Sequence, residues 1–195
     1  LRGLPVDDYI SAEHPIQREI VSTFAQLADL AEAPPTAIDG CSAPTFGVPL
    51  RSLAIAFARL VNPSDQDSRV AGAAHRIVAA MISHPEMVGG TKGRLDTELL
   101  RAGRGKLICK IGAEASYTVG VPPCDRFPRG AGIAIKIEDG SYRGLGPTVV
   151  ETLAQLGVLN EDEVAQLAMY HRTVVENRRG AHVGEVLAVF KLMDQ

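Results

Sequence analysis

The run Gly105-Lys106-Leu107-Ile108-Cys109-Lys110-Ile111-Gly112-Ala113 carries the residue of greatest chemical interest. Side chains alternate across a strand. Leu107, Cys109 and Ile111 share one face, and Ile108, Lys110 and Gly112 share the other. Lys110 is thus an amine with apolar neighbours in sequence and a glycine two places on along its own face. A hydroxyl is too weakly acidic to act as a nucleophile unaided, and a positioned amine can take its proton. Lys110 is therefore the candidate catalytic residue. Lys136 is a second strand lysine, but Glu138 and Asp139 beside it suit a solvated charge pair.

Other reactive side chains are scattered. The cysteines stand at 41, 109 and 124, an odd number with no paired spacing, which suits a reducing, cytoplasmic compartment. Cys109 shares a face with Leu107 and Ile111 and reads as core. Cys124 sits in a Pro-rich loop. Cys41 lies in a long loop with Asp39 two places before it, and loops often carry function. No histidines are spaced as a helical metal pair, and His84 before Pro85 reads as structural. From Lys92 to Lys110 the basic residues Lys92, Arg94, Arg101, Arg104, Lys106 and Lys110 outnumber Asp96 and Glu98. Most of these suit a solvated helix face, while one or two could attract an anionic substrate. Gly89 to Gly93 lacks the spacing of a phosphate loop and reads as a flexible turn. Tyr117 and Tyr142 are candidate hydrogen-bonding groups, and Arg178-Arg179 reads as surface charge.

These residues need elements to hold them. A helix is expected from Ser11, with Pro15 in its first turn and Ile16, Ile20, Phe24 and Leu27 on one stripe. Pro34-Pro35 stops it, and Thr36 to Val48 reads as loop. A second helix opens at Pro49 and ends at Asn62-Pro63. A third, capped by Ser64, runs to Ser83, and a short one follows near Leu95 to Ala102. Three strands are then expected over Lys106–Ile111, Ala115–Val121 and Gly132–Glu138, joined as an antiparallel meander. Helices follow over Pro147–Leu156 and Glu161–Tyr170, and a last strand near Val183 to Phe190. The fold class is α+β, an antiparallel sheet layered with helices. Helices on both faces would place Lys110 at a crevice instead of in bulk water.

Size and composition agree with one domain over residues 1–195. The 195 residues are 46% hydrophobic and 22% charged, as in ordinary globular proteins. A net charge of −3 argues against nucleic-acid binding, and no apolar run is long enough for a membrane span. Leu1-Arg2-Gly3-Leu4-Pro5 reads as the last turn of a helix closed by glycine, so a segment upstream is expected. A homo-oligomer is expected on general grounds.

Five segments become legible together: Asp39-Gly40-Cys41-Ser42-Ala43-Pro44-Thr45-Phe46-Gly47-Val48-Pro49-Leu50, His84-Pro85-Glu86-Met87-Val88-Gly89-Gly90, Lys110-Ile111-Gly112-Ala113-Glu114, Gly132 through Gly140, and Asn177-Arg178-Arg179-Gly180. In this order they closely resemble the bacterial L-asparaginase II family, which has the serine β-lactamase and glutaminase type of fold. The resemblance covers nearly the whole chain, and the Asp-Gly-Cys-Ser-Ala-Pro-Thr string is its most specific part.

The resemblance implies hydrolysis of the side-chain amide of L-asparagine to aspartate and ammonia. A serine in Ser-x-x-Lys would form an acyl-enzyme, and a second lysine would come from a strand, as in penicillin-recognising hydrolases. Lys110 matches that strand lysine. The resemblance also implies zinc held by two cysteines and a lysine. Cys41 matches one of those cysteines, with Asp39 beside it as a steadying carboxylate. Yet no serine here has lysine three places on, and no cysteine does either. The expectation is therefore the C-terminal part of an asparaginase. Its nucleophile and remaining zinc ligands would lie in an N-terminal part of the same protein, bound beside this one. Two alternatives stand beside it: a non-catalytic binding module that kept the fold, and a glutaminase.

Overall fold

A computed structural model describes residues 3–193. The helix end expected at Leu1-Arg2 falls outside them. The first helix, α1 (Pro15–Leu27), starts where Pro15 needs no N–H partner, and His14, not Ser11, caps it by accepting from the Ile16 N–H at 3.2 Å. The loop expected after it contains a small antiparallel hairpin, β1 (Thr36–Ile38) and β2 (Pro44–Phe46), with Thr36 opposite Phe46. Helix α2 (Leu50–Val61) follows, then α3 (Ser68–Ser83). Asp67, not Ser64, caps α3, because its carboxylate accepts from both Arg69 N–H and Val70 N–H. His84-Pro85 ends α3 and at once begins a short helix, α4 (Pro85–Gly89). Helix α5 (Leu95–Gly103) leads into the main sheet.

That sheet is the expected meander, β3 (Ile108–Ile111), β4 (Ser116–Val121) and β5 (Ala131–Lys136), in the order β3-β4-β5. Lys110 stands opposite Thr118, and Ile108 opposite Gly120. A 3₁₀ turn (Tyr142–Gly144) then opens α6 (Leu145–Gln155). The single helix expected over Glu161–Tyr170 is broken into α7 (Glu161–Gln166) and α8 (Ala168–His171) at Leu167. The last expected strand is shorter than read. It is β7 (His182–Val186), and it pairs with β6 (Thr173–Glu176) as a separate hairpin, not with the main sheet.

The sheet lies between two helical layers. Cys109, Tyr117, Val119 and Val121 point to one face, where they join Leu99, Leu100, Val149, Val150, Leu153 and Leu167 in the core. Helix α2 covers the other face, and glycine makes that possible. A Cβ on Gly132 would lie 1.7 Å from the Ala54 carbonyl oxygen, and one on Gly120 would lie 2.7 Å from Val61. Helix backbone therefore rests on strand backbone there. The fold is α+β, with small antiparallel sheets and helices.

Candidate active site

Asp96 sits in the first turn of α5, on the same face as Leu99, Leu100 and Gly103, and is 1% exposed. That face is the buried one, so a carboxylate is carried into the core margin beside the free edge of β3. Ile111 turns its N–H and its carbonyl to that edge, because neighbouring groups of one residue point the same way in an antiparallel ladder. The Ile111 N–H donates to Asp96 Oδ2 at 3.2 Å. Lys110 Nζ donates to the Ile111 carbonyl at 2.8 Å and lies 3.6 Å from the same Asp96 oxygen. The buried Cys109 thiol reaches the Asp96 carbonyl at 3.6 Å. One helical turn and one strand edge thus build a carboxylate–amine pair.

The amine is more open than expected. The Lys110 side chain is 49% exposed, so it stands at an edge and is not enclosed. Beside it lies a crevice of about 440 Å³ lined by Gly93, Arg94, Asp96, Ile111, Tyr142, Arg143, Gly146, Tyr170 and Thr173, among others. Lys110 does not itself line this space, but both of its polar partners, Asp96 and Ile111, do. Asp96 Oδ1 and the Tyr170 hydroxyl are buried with no hydrogen-bond partner among the described residues. Burial raises the Tyr170 hydroxyl above the ordinary phenol range, and Glu98 adds to this. Tyr142 reaches across from the 3₁₀ turn and donates to the Gly112 carbonyl at 3.2 Å.

Two other candidates are core groups. Burial pushes the Cys109 thiol up to about 12 and the Tyr117 hydroxyl well above its usual value. Both side chains are enclosed in the core, and the raised thiol is a poor nucleophile at neutral pH. Among the described residues Lys136 forms no carboxylate pair and instead donates to the Glu114 and Ile137 carbonyls. Of the basic run, Lys106 is taken by Glu163 at 2.7 Å and Arg101 by Glu98 at 3.2 Å. Arg94 lines the crevice, and Gly93 of the flexible turn lies there with it. Arg178 and Arg179 are exposed in the turn of the β6–β7 hairpin.

Asp39 and Cys41 lie apart from these contacts, at the turn of the β1–β2 hairpin. Asp39 Oδ1 accepts from the Cys41 N–H at 2.8 Å and the Ala43 N–H at 3.2 Å. Ser42 completes the turn with φ +64°. The Cys41 thiol is exposed and free. Among the described residues no three His, Cys, Asp or Glu side chains converge on a metal position. A structural zinc takes four donors. One thiol, beside a carboxylate whose Oδ1 already holds its own turn, supplies a corner of such a site and not the whole. No hydrogen bond or ion pair among the described residues joins this turn to Lys110.

Asp96, Arg143 and Tyr170 were not expected. Asp96 carried a usable signal, since its spacing to Leu99 and Leu100 puts it on the apolar stripe of α5. Nothing local marks Arg143 or Tyr170, which only the packing of α6 and α8 brings to the crevice.

Comparison with known families decides the assignment. A family model described as L-asparaginase II matches residues 1–188. The chain belongs to the L-asparaginase II family. None of the curated proteins matches it significantly. Family membership places the chain among asparaginase-type amidohydrolases, with asparagine hydrolysis as the activity in the broad sense. No helix among the described residues is long and apolar enough to cross a membrane.

Proposed function

We propose that this chain is the C-terminal part of a serine-dependent L-asparaginase and that Lys110 is its strand lysine. The observation that carries the reading is the Lys110 amine at the free edge of β3, fixed beside Asp96 and a crevice. The chain has no Ser-x-x-Lys, so the nucleophilic serine and its own lysine come from another segment of the protein. That serine attacks the side-chain amide carbon of L-asparagine. Its proton passes to a lysine, an acyl-enzyme forms and ammonia leaves; water then releases aspartate. Lys110 stands beside the Asp96 carboxylate and donates to the Ile111 carbonyl, which suits a side chain that donates hydrogen bonds to the reacting oxygen or hydroxyl. The serine β-lactamase and glutaminase type of fold belongs to this reading.

Zinc enters only as a structural proposal. Cys41 would be one ligand, Asp39 would hold the turn that presents it, and the other donors would come from outside the described residues. No step of the hydrolysis is routed through the metal. The three cysteines are free, in keeping with a reducing, cytoplasmic setting, and a homo-oligomer is part of the same proposal.

Ammonia release from L-asparagine by the intact protein tests the reading. Lys110→Ala is expected to lower kcat by at least about 100-fold, the usual scale for losing a positioned acid–base group. A Lys110→Ala protein with full activity overturns the assignment of Lys110. Parallel rates on L-glutamine decide between the two amides. An intact protein inactive on both, yet binding L-asparagine, supports the non-catalytic alternative.

A further inference from the structure

We propose that the crevice beside Lys110 is a cradle for the zwitterionic end of an α-amino acid, with Arg94 and Arg143 taking the carboxylate and Asp96 favouring the ammonium. The inference rests on the amidohydrolase reading and names the residues that recognise its substrate.

Arg94 and Arg143 come from two different elements, the start of α5 and the 3₁₀ turn before α6. Both line the crevice, and neither side chain forms an ion pair or hydrogen bond among the described residues. Lys106, Lys110 and Arg101 of the same basic run each have an acidic partner. Two free guanidinium groups facing one space are a carboxylate receptor in waiting, since each presents a planar fork of donors.

The floor has the opposite sign. Asp96 is almost wholly buried, one oxygen is held by the Ile111 N–H, and the carboxylate also neighbours the core hydroxyl of Tyr117. The buried Tyr170 hydroxyl, which has no partner among the described residues, lies on the crevice lining. An inorganic dianion between the arginines would meet the Asp96 charge. A ligand with a negative and a positive group a few ångströms apart satisfies both. An α-amino acid is such a ligand, and the volume of about 440 Å³ is ample for one. The Asp96 oxygen nearest Lys110 then ties recognition to chemistry. An amino acid held over Asp96 has its side chain within reach of the strand edge that carries Lys110.

The test uses the intact protein and three amides: L-asparagine, succinamate (asparagine without its α-amino group) and propionamide. Arg94→Gln and Arg143→Gln are each expected to raise KM for L-asparagine about tenfold, the scale of one charge-assisted hydrogen bond, with kcat within about twofold. Asp96→Asn is expected to raise KM for L-asparagine and leave KM for succinamate unchanged. Arg178→Gln, in the exposed turn of the β6–β7 hairpin and absent from the crevice lining, controls for net charge. Unchanged KM in both arginine variants overturns the cradle while the asparaginase reading stands. If the wild type releases ammonia from none of the amides, that reading fails and calorimetry with L-aspartate judges the cradle alone. Binding weakened about tenfold by Arg94→Gln supports it, and absent or unaltered binding overturns it.

Discussion

Lys110 Nζ lies 3.6 Å from Asp96 Oδ2, yet one side chain is half exposed and the other is buried. The asymmetry separates stability from function. An exposed amine contributes under about 1 kcal/mol to such a pair. Removing the buried carboxylate also leaves the Ile111 N–H without its acceptor, which costs about 1–3 kcal/mol. Lys110→Ala is expected to unfold near wild-type denaturant concentrations, and Asp96→Ala clearly earlier. Equilibrium urea unfolding checks this. Equal losses would mean that Lys110 is structural.

Gly132 is expected to tolerate no side chain. Its missing Cβ lets the Ala54 carbonyl of α2 approach β5 directly. Gly132→Ala should lower stability by about 3 kcal/mol, because a whole helix must lift from the sheet. Gly144, where an added Cβ meets nothing within 4 Å, is the comparison. Thermal melts of the two alanine variants should differ widely, and similar melting temperatures would refute the close packing.

Stability should fall in acid through Glu163. Burial raises its carboxyl, but hydrogen bonds from Lys106 and Asn160 outweigh this and hold it below its ordinary value of 4.5. Lys106 Nζ donates to both Glu163 oxygens, and Glu163 exchanges bonds with Asn160 at the start of α7. A depressed folded value means that the contribution is present above the unfolded value and is lost as pH drops through the folded one. Glu163→Gln should therefore destabilise by about 1 kcal/mol at neutral pH and by progressively less below pH 4.5. A constant difference between pH 7 and 3 would contradict this.

The cysteines should separate by reactivity. Cys41 and Cys124 are exposed and Cys109 is buried. A thiol reagent should label the first two in the native protein and Cys109 only after unfolding, as read by peptide mass spectrometry. Zinc should slow labelling of Cys41 in the intact protein and leave Cys124 unaffected. Unchanged labelling of Cys41 would remove it from any metal site.

The sequence made some of this legible and hid the rest for physical reasons. Tyr117 and Val119 alternate with polar or small residues because one face of β4 meets the core and the other meets α2. Their period of two was plain, and so was the meander. Thr36–Ile38 carries no such pattern, because all three residues are exposed and no buried face imposes one. The β6 strand is likewise half in solvent, so its pairing with β7 left no trace in hydrophobicity. At the site, Lys110 announced itself by strand alternation. Asp96 was masked by the charges of Arg94 and Glu98 around it, although its spacing to Leu99 and Leu100 gave its burial away. Arg143 and Tyr170 depend on long-range packing alone.

The carboxylate of Asp96 has a bearing on the order of assembly. It reaches the Ile111 N–H on β3 across only 15 residues. Closing a loop that short takes on the order of 100 ns or less, and costs less entropy than a distant pairing. A chain still emerging during synthesis holds everything needed for this contact once Ile111 is out. Tyr142, Arg143 and Tyr170 arrive later, so the carboxylate–amine pair is born first and the walls close around it.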